Sequence, residues 1–196
     1  SENIASIILF YNFKWILFRF YKLNIFNFNW IIIRYAIKLI RKNKPKSNIS
    51  FNKKSYDGHK GVYGKSFLIC GSESYCGAAL LSTKACVYTG CGITSLYSID
   101  SVLQAASTYI PEAIHTNTLD EIDKYQAILI GCGLKDNEEL LRKVLFETTQ
   151  PLVIDASSLN DLSKNLDWLE NQNRPIILTP HIGEFKRLCP TFDDLS

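Results

Sequence analysis

Residues 66–90 read SFLICGSESYCGAALLSTKACVYTG. The apolar run from Ser66 to Cys70 has no polar alternation, which suits a strand buried on both faces, as in a parallel sheet. Gly71 and Ser72 end it, and Gly77 to Tyr88 then reads as a helix. The same unit repeats towards the carboxyl end. Further strands are expected at Ile93 to Tyr97, Ala127 to Ile130, Leu152 to Ile154 and Ile176 to Leu178. Helices are expected at Ser98 to Thr108, Asn137 to Thr148 and Asn160 to Glu170, with another starting at Gly183. Strand and helix in strict alternation predict an α/β fold, a layered and mainly parallel sheet flanked by helices with right-handed crossovers.

At 196 residues the chain has room for one such domain and an appendage. Charge divides unevenly between them. Residues 1–54 carry 11 Lys or Arg against the single acid Glu2, whereas residues 55–196 carry 11 against 18 acids. An acidic globular part without a basic stripe gives no reason to expect nucleic acid as a partner. The six cysteines form no C-x-x-C pair and lie near no suitably spaced histidine, so zinc is not expected. With no secretory cleavage signature, they read as mostly buried thiols of a cytoplasmic protein. The sequence contains no methionine, which suggests a fragment or a processed product.

Residues 1–50 read as a basic, aromatic-rich extension and linker. Their apolar runs, such as Ile7 to Phe10 and Ile31 to Ile33, are broken by Lys14, Arg19, Lys22 and Arg34. None approaches the roughly 20 residues of a spanning helix. A helical extension packing on a partner, or a stretch with no selected fold, is preferred to an interfacial membrane segment. RKNKPKSNIS, residues 41–50, is polar and interrupted by Pro45, as a linker would be.

Ligands of open parallel sheets bind beyond the carboxyl ends of the strands, so the residues just after each run are the candidates. Gly71 and Ser72 follow the first strand, and Gly77, Ala78 and Ala79 open the next helix. They could admit a phosphate to unpaired N–H groups, or serve only close helix packing. Gly131-Cys132-Gly133 is either a backbone platform against a planar ring or a tight turn. Asp155 could organise a metal, a water or a substrate hydroxyl, although an aspartate before a helix is as often an N-cap. Thr179-Pro180-His181-Ile182-Gly183-Glu184 ends a strand and places a histidine and a carboxylate at the start of a helix. They could bind a polar ligand or handle protons, or be a capping pair. Lys60, in HKGVYG at residues 59–64, could reach a phosphate or belong to an ordinary basic loop.

Taken in series, HKGVYG (59–64), GSESYCGAALLSTKACVYTGCG (71–92), PEAI (111–114), ILIGCGL (128–134), PLVIDASSL (151–159) and ILTPHIGEFKRL (177–188) resemble the ADP/ATP-dependent NAD(P)H-hydrate dehydratase family. The resemblance covers residues 55–196 and makes 51–196 the N-terminal portion of such a domain. It implies a ribokinase-like fold, incomplete at the carboxyl end. It implies as substrate the 6S hydrate of NADH or NADPH, whose added hydroxyl is phosphorylated by ATP or ADP and then lost as phosphate. Mg2+ would accompany the nucleotide. It also implies that Ala78, Gly133 and His181, Ile182, Gly183, Glu184, Phe185, Lys186 and Arg187 lie against the hydrated cofactor. Lys60, Gly71 and Asp155 would serve a phosphate or the structure, and the intact family implies a homo-oligomer.

The chain departs from the pattern in three places. Gly131-Cys132-Gly133 stands where the family commonly has Gly-Pro-Gly, Lys135 where it has a further glycine, and Asp155-Ala156-Ser157 where it has Asp-Ala-Asp. The Gly-x-Gly-Asp turn that ribokinase-like enzymes use for phosphate transfer is not found after Glu184, since Asp193 and Asp194 lack the glycines. The catalytic aspartate is therefore unassigned; this polypeptide alone is expected to be inactive or nearly so unless a second chain supplies the remainder, and to be poorly soluble or self-associating. Two other readings are a ribokinase-like kinase for a small vitamin precursor and a non-catalytic nucleotide-binding module.

Overall fold

Strands dominated by Ile, Leu, Val and Phe assemble into one eight-stranded sheet in the computed structural model, which describes residues 6–11, 14–19 and 60–190. The strands are β1 Ser6–Tyr11, β2 Lys14–Arg19, β3 Lys65–Ile69, β4 Ile93–Tyr97, β5 Ile114–Thr116, β6 Ala127–Ile130, β7 Leu152–Ile154 and β8 Ile176–Leu178. The helices are α1 Cys76–Tyr88, α2 Asp100–Tyr109, α3 Glu138–Glu147, α4 Ala156–Lys164 and α5 Ile182–Leu188. Their order in the sheet is β2-β1-β8-β7-β6-β3-β4-β5. β3 to β8 are parallel throughout, β1 runs parallel to β8, and β2 is antiparallel to β1. Parallel pairing puts all the carboxyl tips of β3 to β8 on one edge.

Alternate residues of each strand serve opposite helical layers. Phe67, Ile69, Ile128, Ile130, Leu152, Ile154, Ile176 and Leu178 join Leu141, Val144 and Leu145 of α3, Leu159 and Leu162 of α4, and Leu188 of α5 in the larger core. Leu68, Cys70 and Leu96 face Ala79 of α1 and Val102 and Ala106 of α2, with Leu129 and Cys132 against them. Because both faces are covered at β3, its apolar run needs no polar alternation, and the reading of 66–70 holds with a shift of one residue.

Three expectations change. Residues 6–11 and 14–19 form two paired strands rather than a helical extension, consistent with their Ile, Phe and Tyr content. The helix expected over 160–170 is α4, which begins earlier at Ala156 and stops at Lys164, followed by a 3-10 turn at Leu166–Leu169. The break falls at Asn165, whose Nδ2 donates to the Asp161 carbonyl at 3.0 Å and to Glu138 Oε1 at 3.2 Å, side-chain bonds that compete with helix continuation. β5 was not expected. Three residues with Ile114 exposed are too short to show a period.

One buried cation fastens this frame. Arg174, 5% exposed, donates from Nη2 to the Val144 and Leu145 carbonyls, from Nη1 to Thr148 Oγ1 and the Gln150 carbonyl, and from Nε to Gln172 Oε1. Burial lowers its pKa to about 10, so it stays charged at neutral pH, placed against the negative end of α3. Among the described residues no helix is long and apolar enough to cross a membrane.

Candidate functional site

The tips of β3, β6, β7 and β8 are tied to one another by short bonds at the carboxyl edge. The Gly71 N–H donates to the Cys132 carbonyl at 2.8 Å, joining β3 to β6. Cys132 Sγ donates to Asp155 Oδ2 at 3.1 Å, joining β6 to β7. Thr179 Oγ1 donates to Asp155 Oδ1 at 2.6 Å, joining β7 to β8. Asp155 is thus the centre of a polar row across three strand tips. It stands at the N-cap position of α4, yet its side chain makes no cap bond. The capping expectation for that carboxylate is replaced by strand-tip bridging.

Beside the row, the loop after β6 is pressed onto α1. A Cβ on Gly133 would lie 2.7 Å from Ala78 Cβ and 2.9 Å from the Tyr75 carbonyl oxygen, and its φ is +72°. Gly133 is therefore required for close packing in a left-handed conformation. Its contact brings Ala78 and the loop together at the rim, both half-exposed. Lys135 follows, with Nζ 3.1 Å from Ser74 Oγ and 5.6 Å from the Tyr75 ring centre.

After β8, His181 and Glu184 form a reciprocal cap on α5. The Gly183 N–H donates to His181 Nδ1 at 3.0 Å, and the His181 N–H donates to Glu184 Oε2 at 2.8 Å. Since Nδ1 accepts, Nε2 carries the ring proton and points to Glu184 Oε1 at 3.3 Å. Glu184 is buried, whereas His181 and Ile182 are exposed to solvent. Arg187 Nε donates to Asn160 Oδ1 at 2.9 Å and holds α5 on α4, with Phe185 and Lys186 on the same short helix. The capping alternative for His181 and Glu184 describes their bonds here, and the His181 ring is exposed to solvent.

The structure thus brings Gly71, Ala78, Gly133, Asp155 and the start of 181–187 to one edge. Lys60 is not among them. The 3-10 turn Lys60–Tyr63 packs at the other edge, where the Gly92 N–H, just before β4, bonds the Tyr63 and Gly64 carbonyls. A reach of phosphate from Lys60 to the row is excluded by the length of the strands between them. The sequence reading did not find Cys132 and Thr179 as partners of Asp155; they lie 23 and 24 residues from it and only strand order pairs them. As to magnesium, the row offers one carboxylate whose oxygens both accept hydrogen bonds, and Ser157, which donates to the Gly131 carbonyl, supplies no second one. Among the described residues no three His, Cys, Asp or Glu side chains gather. These residues alone do not make a cage for Mg2+, an ion that takes its ligands largely from water and substrate phosphates.

A parallel sheet between two helical layers, with ligand-type turns on its carboxyl edge, defines a ribokinase-like α/β protein. It superimposes on a ribokinase-like superfamily protein of Enterococcus faecalis with a TM-score of 0.64 and 27% identity, covering 70% of this chain and 52% of that one. The ADP/ATP-dependent NAD(P)H-hydrate dehydratase of Bacillus subtilis, co-crystallized with ATP and Mg2+, matches with a TM-score of 0.60 and 27% identity, over 72% and 52% of the two chains. In sequence, the ADP-dependent (S)-NAD(P)H-hydrate dehydratase of Listeria monocytogenes is 32% identical over 163 residues, 76% of this chain and 58% of that protein. The family model for NAD(P)H-hydrate dehydratase matches residues 66–196. The chain belongs to the NAD(P)H-hydrate dehydratase family, and it spans a little over half the length of the Listeria and Bacillus proteins.

Proposed function

We propose that this chain forms the hydrated-nicotinamide side of an ADP- or ATP-dependent NAD(P)H-hydrate dehydratase. The convergence of Ala78, Gly133 and the Cys132–Asp155–Thr179 row at one sheet edge, in a member of this family, carries the reading. The substrate would be the 6S hydrate of NADH or NADPH, with Ala78, Gly133 and residues 181–187 against it. Hydroxide leaves poorly and phosphate leaves well. ATP or ADP would supply the phosphoryl group, with Mg2+ held mainly by its phosphates. Small-molecule nucleotides are then its partners. Free thiols at all six cysteines support work in a reducing cytoplasm, and the family resemblance carries a homo-oligomer.

Calorimetric titration of the chain with NADH hydrate and NADPH hydrate, beside an alcohol-bearing vitamin precursor, tests the reading. Saturable binding of the hydrates, weakened about tenfold or more by Ala78→Arg at the rim, is the expected result. Preference for the precursor alcohol, with no heat from either hydrate, would replace the dehydratase by a kinase of the same fold.

A further inference from the structure

The amino edge of the sheet, opposite the candidate site, holds two thiols that the proposed reaction does not use. α1 runs out at Gly90, whose φ is +97° and whose N–H bonds the Val87 carbonyl at 3.1 Å. A helix stopped in this way folds the residue after its left-handed glycine back over the helix's last turn. Here those residues are Cys91 and Cys86. Below them, Ser66 of β3 and Thr94 of β4 are direct partners in the parallel ladder. Ser66 Oγ lies 3.3 Å from Cys91 Sγ, and Thr94 Oγ1 donates to Cys86 Sγ at 3.4 Å. Two hydroxyls standing side by side on the sheet thus hold two sulfurs above it. Cys91 Sγ also reaches the Ile93 carbonyl at 3.2 Å.

We propose that Cys86 and Cys91 form a redox-active dithiol that closes to a disulfide when the protein meets a peroxide. The two sulfurs have different parts. Burial alone would raise the Cys91 pKa, but its hydrogen bonding, with Ser66 foremost, outweighs it and leaves the thiol more acidic than usual. Burial raises that of Cys86. Cys91 is therefore the attacking sulfur, since the thiolate is the nucleophile. Its thiolate attacks one peroxide oxygen, the O–O bond breaks, and the leaving hydroxide takes up the proton that Cys91 released, giving water and a sulfenic acid. The Cys86 sulfur then attacks Cys91 Sγ, the S–O bond breaks, and hydroxide leaves with the Cys86 proton as a second water. The thiols lose two electrons and the peroxide gains them. The bridge would pin the end of α1 to the start of β4.

Brief treatment of the folded chain with hydrogen peroxide, alkylation of remaining thiols and mass spectrometry of the tryptic peptide 85–124 test this. The expected product lacks two hydrogens, contains neither alkyl group, and reverts with dithiothreitol. In Cys86→Ser, with no resolving thiol, dimedone should trap a sulfenic acid at Cys91. Independently of any variant, Cys91 of the untreated chain should alkylate about tenfold faster than Cys86. Alkylation of both residues after a peroxide dose that oxidises the exposed Cys189, or a bridge from either to another cysteine, would overturn the proposal.

Discussion

Gly133 meets Ala78 at a distance that leaves no room for a methyl group. Gly133→Ala would set a Cβ 2.7 Å from Ala78 Cβ at a φ of +72°, and is expected to cost about 1–3 kcal/mol in urea-unfolding stability while prising the loop after β6 from α1. Asp155 depends on donors from two neighbouring strands. Thr179→Val keeps the shape but removes the O–H at 2.6 Å, and is expected to lower stability by about 1 kcal/mol and to weaken binding of the hydrated cofactor in the same titration. Residue identity was only half legible beforehand. That Asp155 stood at a strand end could be read from LVID, whereas its bonds to Cys132 and Thr179 arise from the order β6-β7-β8, which no local pattern encodes. His181 shows the opposite case, because the spacing to Glu184 offered a capping pair as one of two readings, and the structure contains that cap.

Elements bounded by long apolar runs were legible, and those fixed by distant side chains were not. Four of the five expected strands keep their limits, since Ile, Leu and Val without alternation have few alternatives to a parallel sheet covered on both faces. β5 and the early start of α4 escaped because each depends on distant partners, β4 in one case and, in the other, Gly131 and Asn137, which accept from Ser157 and Ser158 of the first turn. The end of α3 is likewise secured from outside, by Arg174. Arg174→Leu takes one donor each from the Val144 and Leu145 carbonyls, which keep Thr148 Oγ1 and Gln172 Nε2, and strips the arginine's bond to the Gln150 carbonyl; about 3 kcal/mol of lost stability is expected, read as a lower urea midpoint with faster amide exchange at the end of α3.

At the scale of the whole molecule, the acidic part of the sequence supplies six of the eight strands, and the basic segment adds β1 and β2 to the same sheet. Stability should depend on pH through His115 of β5. Its Nε2 is buried without a hydrogen-bond partner, and burial holds its pKa below the usual 6.5. A base with a lowered folded pKa binds its proton more readily when unfolded, so stability is present above about 6.5 and falls as pH drops towards the folded value. His115→Gln is expected to flatten that fall, measured as urea midpoints between neutral and mildly acidic buffer. The central place of β3 has a further outcome. Its neighbour on one side is β4, the next strand, but on the other it is β6, so Lys65 meets Gln126 across 61 residues. A nascent chain leaving the ribosome would complete β3, β4 and β5 while one flank of β3 is still bare, inviting a second nascent chain to dock there. Fast translation or a holding chaperone over that interval should therefore raise the yield of folded protein.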